Sequence, residues 1–166
     1  MSERSSVITW QDPSIGLAAM PTMAGIDYLR AMLDGRLPGP PIADRMGFTL
    51  SEVEVGSAVF RCTPDESHAN PIGAIHGGLV CTLLDSALGC AAQTTLPAGT
   101  GYTSIELKVN YLRPVRAGDE LTCTGRVVKP GRRVVFAEGE VTDAAGRVVA
   151  TASSSLLVMQ VDAPVA

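Results

Sequence analysis

Apolar residues recur along this chain in two rhythms, and the change between them locates the elements. Ile26, Leu29, Met32 and Leu33 fall at helical spacing with Gly35 as the stop, which predicts a short amphipathic helix over residues 24–34. Residues 1–21 carry no clear period and read as a loose tail, while Pro38-Gly39-Pro40-Pro41 reads as a stiff connector. Period-two alternation then begins. Ala58, Phe60 and Cys62 alternate with Val59, Arg61 and Thr63, and strands are predicted over residues 46–55 and 57–63, on either side of Gly56. Residues 64–73 read as a loop. Residues 79–94 are apolar on most of a helical circumference, so that helix is predicted to be enclosed. Further strands are predicted over residues 102–112, 120–129, 132–142 and 147–159, separated by proline and glycine turns. In the first of these, strict alternation puts Ile105, Leu107, Val109 and Tyr111 toward the helix and Ser104 on the opposite face, unless the strand starts later, bulges, or turns its other face to an interface. The order ββαββββ predicts an α+β fold, an antiparallel sheet wrapped around one long central helix.

Composition narrows the picture. At 166 residues and 46% hydrophobic, the chain is long enough to bury a sizeable core. The pattern divides it into an N-terminal extension (1–43: tail, short helix, connector), a main domain (44–160) and a C-terminal tail (161–166). A net charge of −4 argues against a nucleic-acid or anionic-membrane partner recognised by bulk charge. The four cysteines include no C-x-x-C pair and there are only two histidines, so no metal site is expected. The first residues lack the apolar core of a signal peptide, and no apolar run is long enough to span a bilayer. A cytoplasmic, reducing location is the expectation.

The chemistry concentrates in Asn70-Pro71-Ile72-Gly73-Ala74-Ile75-His76-Gly77-Gly78 and the apolar helix that follows it. Asp85 is the only Asp, Glu, Lys or Arg between Glu66 and Glu106. A carboxylate carried into apolar surroundings costs several kcal/mol unless partnered, so its position needs a reason. No G-x-S-x-G elbow or P-loop is present, and Gly99-Thr100-Gly101 lacks the third glycine of a dinucleotide fingerprint.

Asn-x-x-Gly-x-x-His-Gly-Gly, with an acid eight residues beyond the first glycine of the final pair, resembles the hotdog-fold acyl-CoA thioesterases, most closely their PaaI-type (phenylacetic-acid-degradation) branch. The resemblance runs from about Phe48 to Met159 and takes in residues 102–114, through Tyr111-Leu112-Arg113-Pro114. Residues 24–34 and their connector look like an extension present in some members. The resemblance implies hydrolysis of an acyl-CoA thioester at sites between two subunits, with no cofactor, because coenzyme A is part of the substrate. It implies that Asp85 activates water or attacks directly, and that the Gly77 amide holds the carbonyl oxygen with help from Asn70. His76 would orient the group or contact the sulfur, and Ser104 would place the water.

Elementary chemistry agrees with such a role. Attack on a thioester carbonyl creates an oxyanion, which a preorganised N–H stabilises by about 3–4 kcal/mol. A helix N-terminus supplies free N–H groups and the positive end of the dipole, and glycine there lets a substrate approach the backbone. A thiol leaving group, with a pKa of about 8.5 if it behaves like cysteine, departs without a strong general acid. Gly77 and Asp85 are separated by about 12 Å of helical rise, too far for one chain to bring both to one carbonyl carbon. A homodimer, or a dimer of dimers, with antiparallel helices is therefore expected.

Other readings stand beside these. Asp85 could be a structural acid at a subunit interface, His76 a loop cap, Gly73, Gly77 and Gly78 turn residues, and Asn70 turn chemistry before Pro71. Gly78, Arg113, Arg132 and Arg133 are candidates for substrate binding, the arginines through coenzyme A phosphates; solvated charge is the alternative for each arginine. The rival functions are a non-catalytic acyl-thioester-binding or scaffold protein and a hotdog dehydratase or hydratase.

Overall fold

A computed structural model describes residues 3–161. The extension carries helices α1 (Ser14–Ala19), α2 (Gly25–Leu33) and α3 (Pro41–Met46). Strands β1 (Phe48–Glu54) and β2 (Ser57–Cys62) precede the long helix α4 (Gly77–Gln93), and β3 (Thr100–Tyr111), β4 (Leu121–Lys129), β5 (Val134–Asp143) and β6 (Val148–Gln160) follow it. All six strands pair antiparallel in the order β1-β2-β4-β5-β6-β3, and the sheet curls around α4. This is the hotdog arrangement.

The core is the buried side of α4 against the sheet. Leu83, Leu84, Ala87, Leu88 and Ala91 are fully buried, a spacing that selects one face of the helix. They meet Ala58, Phe60, Cys123, Val135, Val141 and Leu156 from the strands. A cross-strand glycine pair, Gly125 on β4 and Gly139 on β5, sets how close the helix lies. A Cβ on Gly125 would sit 2.3 Å from the Ala87 carbonyl oxygen, and one on Gly139 would sit 2.8 Å from Leu88 Cδ1. The helix is not enclosed all round. Gly78, Cys81, Thr82, Asp85 and Ser86, at helical spacing, are only partly covered or exposed, and this open stripe runs beside β3.

The extension is more ordered than its sequence pattern predicts. Within the stretch read as a loose tail, α1 and a 3₁₀ turn at Met20–Thr22 form, and the Gly99 N–H donates to the Met20 carbonyl at 3.0 Å. Tertiary contact with the end of α4 supplies the order that periodicity could not signal. Gly25 lies so close to Gln93 that a Cβ would fall 1.8 Å from its carbonyl oxygen, and the Gly25 N–H donates to the Leu96 carbonyl at 2.9 Å. Pro41, read as the end of a connector, starts α3, where its missing N–H costs nothing. Of the tail assigned to residues 161–166, all but Val161 lies outside the described residues.

Bulges interrupt β1, β4 and β6 as well as β3, and the one in β3 bears on the helix. The β3–β6 register shifts between Ser104 and Glu106, leaving Ile105 as a bulge with 56% of its surface exposed. The extra residue resets the phase. Tyr102 and Ser104 before it, and Leu107, Val109 and Tyr111 after it, all lie on the helix side, because they pair with Val158, Leu156, Ser154, Ala152 and Ala150. The expected inward position of Ile105 and outward position of Ser104 are both corrected by this single inserted residue.

Candidate active site

The loop before α4 is built from local hydrogen bonds. The Asp65 side chain caps a 3₁₀ turn at Glu66–His68, accepting from the Ser67 N–H at 2.8 Å, and the His76 N–H donates to the His68 carbonyl at 2.8 Å. At the loop tip the Gly73 N–H donates to the Asn70 carbonyl at 3.0 Å, with Gly73 at φ 83, a conformation glycine adopts without strain. Asn70 Oδ1 accepts from the Ile72 N–H at 3.1 Å, so its amide nitrogen remains to donate elsewhere.

His76 is the N-cap of α4. Its Nδ1 accepts from the Gly78 N–H at 2.8 Å, which puts the proton of a neutral imidazole on Nε2. The cap engages the Gly78 amide and leaves the Gly77 N–H with no acceptor among the described residues. Tyr111, half exposed, donates its hydroxyl to the Gly77 carbonyl at 2.9 Å. Its ring lies across Gly77, where a Cβ would sit 3.2 Å from the ring carbon bearing the hydroxyl. Gly77 is thus held at its carbonyl and bare at its N–H. Beside it is an open cavity of about 350 Å³ whose walls include Gly77, Val80, Tyr111 and Arg113.

Two turns further on, Asp85 Oδ1 accepts from the Ser104 hydroxyl at 2.7 Å. The bulge at Ile105 is what turns Ser104 toward the helix. Strand β3 runs antiparallel beside α4, so its residues meet the helix at successive levels: Tyr111 at Gly77, Ser104 at Asp85, Tyr102 at Gly89, and the Thr100 carbonyl at the Gln93 side chain. Burial, followed by the nearby Asp85 carboxyl, pushes the Cys90 thiol up to about 12. The same two causes raise Cys81, against a hydrogen bond with Tyr111 that lowers it. Neither thiol is poised as a nucleophile. Burial also holds the Tyr102 phenol well above the ordinary tyrosine range, with Cys90, Asp85 and Tyr28 adding to the effect.

Within one chain, then, His76, Gly77 and Gly78 gather with Tyr111 and Arg113 at the N-terminus of α4. Asp85 and Ser104 form a second group about 12 Å along the helix. Arg113 also donates to the Val148 carbonyl. Arg132 and Arg133 are exposed in the β4–β5 turn, at the opposite end of the sheet from Gly77. No cluster of metal-ligating side chains occurs among the described residues. Tyr102 and Tyr111 carry no role in the sequence reading; the only signal for them is the side-chain-free Gly89 and Gly77 they cover, a pairing that becomes visible once β3 is laid beside α4.

Residues 72–150 match the family described as the thioesterase superfamily. Human acyl-coenzyme A thioesterase 13 is 30% identical over 103 residues, which are 61% of this chain and 73% of the human protein. A phenylacetic acid degradation-related protein of Ralstonia eutropha JMP134 superposes with a TM-score of 0.73 at 30% identity, covering 78% of this chain and 98% of its own. The smu.793 protein of Streptococcus mutans UA159, solved bound to acetyl CoA, superposes with a TM-score of 0.64 at 27% identity, over 69% of this chain and 90% of its own. The open amide at a helix N-terminus, the acid two turns away and these likenesses converge: the chain belongs to the thioesterase superfamily of hotdog fold and is a thioester hydrolase.

Proposed function

We propose that the protein hydrolyses acyl-CoA thioesters at two equivalent sites, each combining Asp85 and Ser104 of one protomer with the Gly77 N–H of another. The observation that carries this reading is the Ser104–Asp85 hydrogen bond, 2.7 Å long, on the open stripe of α4. It gives the lone acid a fixed orientation on a face that the chain's own sheet leaves uncovered. A purely structural acid would have both carboxylate oxygens engaged inside the fold, whereas only Oδ1 of Asp85 accepts a hydrogen bond among the described residues. The solved relative bound to acetyl CoA and the human acyl-coenzyme A thioesterase support coenzyme A as the carrier of the acyl group.

The two-fold pairing follows from the same face. β3 is an edge strand of 12 residues whose outer side has no partner among the described residues, an arrangement that soluble proteins rarely leave bare. Pairing β3 with its copy places two α4 helices side by side and antiparallel. Asp85 of each then faces the N-terminus of the other.

In this site Oδ1 of Asp85 is held by Ser104 while the second oxygen takes a proton from water, which attacks the thioester carbon. The oxyanion forms against the unengaged Gly77 N–H, with the helix dipole behind it and the Asn70 amide as a second donor. Collapse of the tetrahedral intermediate expels the thiolate of coenzyme A. His76 serves by capping: it engages the neighbouring amide and leaves that of Gly77 bare. Arg113, beside the cavity at Gly77, is placed to meet a phosphate of the coenzyme.

Thiol release from a panel of acyl-CoAs tests the reading. Asp85→Asn keeps the shape of the side chain and removes the base, so turnover is expected to fall at least about 100-fold. Wild-type turnover retained in Asp85→Asn and Asp85→Ala would remove Asp85 from the mechanism. Binding without thiol release by the unaltered protein would replace hydrolysis with a carrier role.

A further inference from the structure

We infer that Tyr102 is the end wall of the acyl groove and limits the substrate to short apolar acyl groups; this rests on the site proposed above. Tyr102 precedes Ser104 by two positions on the same face of β3, so both side chains reach toward α4 at successive levels. Ser104 meets Asp85, and Tyr102 crosses the helix at Gly89, one turn further on. The crossing is close. A Cβ on Gly89 would lie 2.1 Å from the Tyr102 hydroxyl oxygen and 2.4–2.5 Å from two ring carbons, so the phenol occupies the space a side chain at position 89 would take. Gly89 belongs to the stripe that carries Asp85, and it is buried there while Asp85 and Ser86 remain partly open.

The Tyr102 ring therefore covers the stripe at Gly89, and the partly exposed Cys90 just beyond it packs against the extension. From Asp85 to Gly89 the helix rises about 6 Å. With C–C bonds of about 1.5 Å, that is room for about four or five methylene groups, or for one phenyl ring. Beyond the wall is the extension. Its Tyr28 packs with Met20, Met23, Met32 and Cys90 in a small apolar cluster, and Tyr28 and Cys90 both lie close enough to Tyr102 to raise its phenol. Methionine side chains re-pack readily, so removing the ring opens the groove onto a surface able to receive a longer chain.

Binding of S-alkyl-CoA thioethers, which cannot be hydrolysed, tests the wall independently of catalysis. Ethyl, butyl, hexyl, phenethyl, decyl and hexadecyl thioethers are titrated into the full-length protein by calorimetry. For the wild type, affinity is expected to peak at hexyl or phenethyl and to fall by about tenfold or more at decyl. The phenethyl and hexyl arms show which of the two shapes the groove prefers. In Tyr102→Ala the decyl-to-hexyl affinity ratio is expected to rise by about tenfold, whereas Tyr102→Phe, which keeps the ring, retains the wild-type profile. Tyr102→Leu, expected to move the ratio in the same direction, replaces the alanine variant if that fails to fold. Decyl and hexadecyl binding as tight as hexyl in the wild type, or an unmoved ratio in Tyr102→Ala, would overturn the inference. Thiol release measured in parallel separates the two claims. A hexyl cut-off with no hydrolysis of any acyl-CoA would sink the proposed reaction and leave the wall standing, and hydrolysis of all chain lengths alike would do the reverse.

Discussion

Ser104 reaches Asp85 because Ile105 is left out of the ladder, so a hydrophobic residue exposed to solvent is what orients the acid. The hydrogen bond between them does not itself make or break covalent bonds. Removing it with Ser104→Ala frees the carboxylate to rotate, and a loss of about tenfold in kcat with little change in KM is expected from steady-state thiol release. An effect confined to KM would make Ser104 a binding group instead. The acid itself was legible in the sequence, because a single Asp, Glu, Lys or Arg in the 39 positions between Glu66 and Glu106 stands out. The serine was not placed correctly by its pattern: alternation assigns faces only while the ladder is regular, and a bulge is invisible in the order of side chains. His76 shows a different limit. Its residue type fits both a cap and a catalytic group; the 2.8 Å contact to the Gly78 amide shows the cap and leaves Nε2 free for the other role.

At the scale of elements, α4 and the strands beneath it were legible because burial imposes a period on each. The depth at which the helix sits was not, since it depends on glycines that carry no pattern. Gly125 faces the Ala87 carbonyl oxygen with no room for a methyl group. Gly125→Ala is expected to destabilise the protein by about 3 kcal/mol, read as a lower denaturant midpoint, by forcing backbone against backbone. A midpoint within experimental error of the wild type would mean that the helix rides on the sheet with slack. Helix α1 escaped the sequence reading for a related reason. Six residues are too few to show a period, and their conformation is supported by Gly16 packing under the Tyr28 hydroxyl rather than by their own preferences.

For the whole molecule, the proposed pairing of half-sites from two protomers calls for a test that counts protomers. Asp85→Asn disables one half and Gly77→Val, whose side chain would collide with the Tyr111 ring, disables the other. Each variant alone is expected to be inactive. Mixed and re-assembled in equal amounts, they are expected to recover about a quarter of wild-type turnover, because half the dimers are mixed and each of those holds one intact site. No recovery, with mixed dimers verified by mass, would place both groups within one chain. The proposal of a shared site was already suggested in the sequence by the eight-residue interval between Gly77 and Asp85. The sequence did not contain the pairing surface, which depends on β3 falling at the margin of the sheet.

The unclaimed edge of β3 carries a practical corollary. Protomers of the proposed dimer, parted by dilution, would each expose a ribbon of 12 residues with bare amides and carbonyls to water, ready to latch onto any extended chain nearby. Loss of turnover and loss of solubility would then share one origin, and a concentrated stock would keep longer than a nanomolar one.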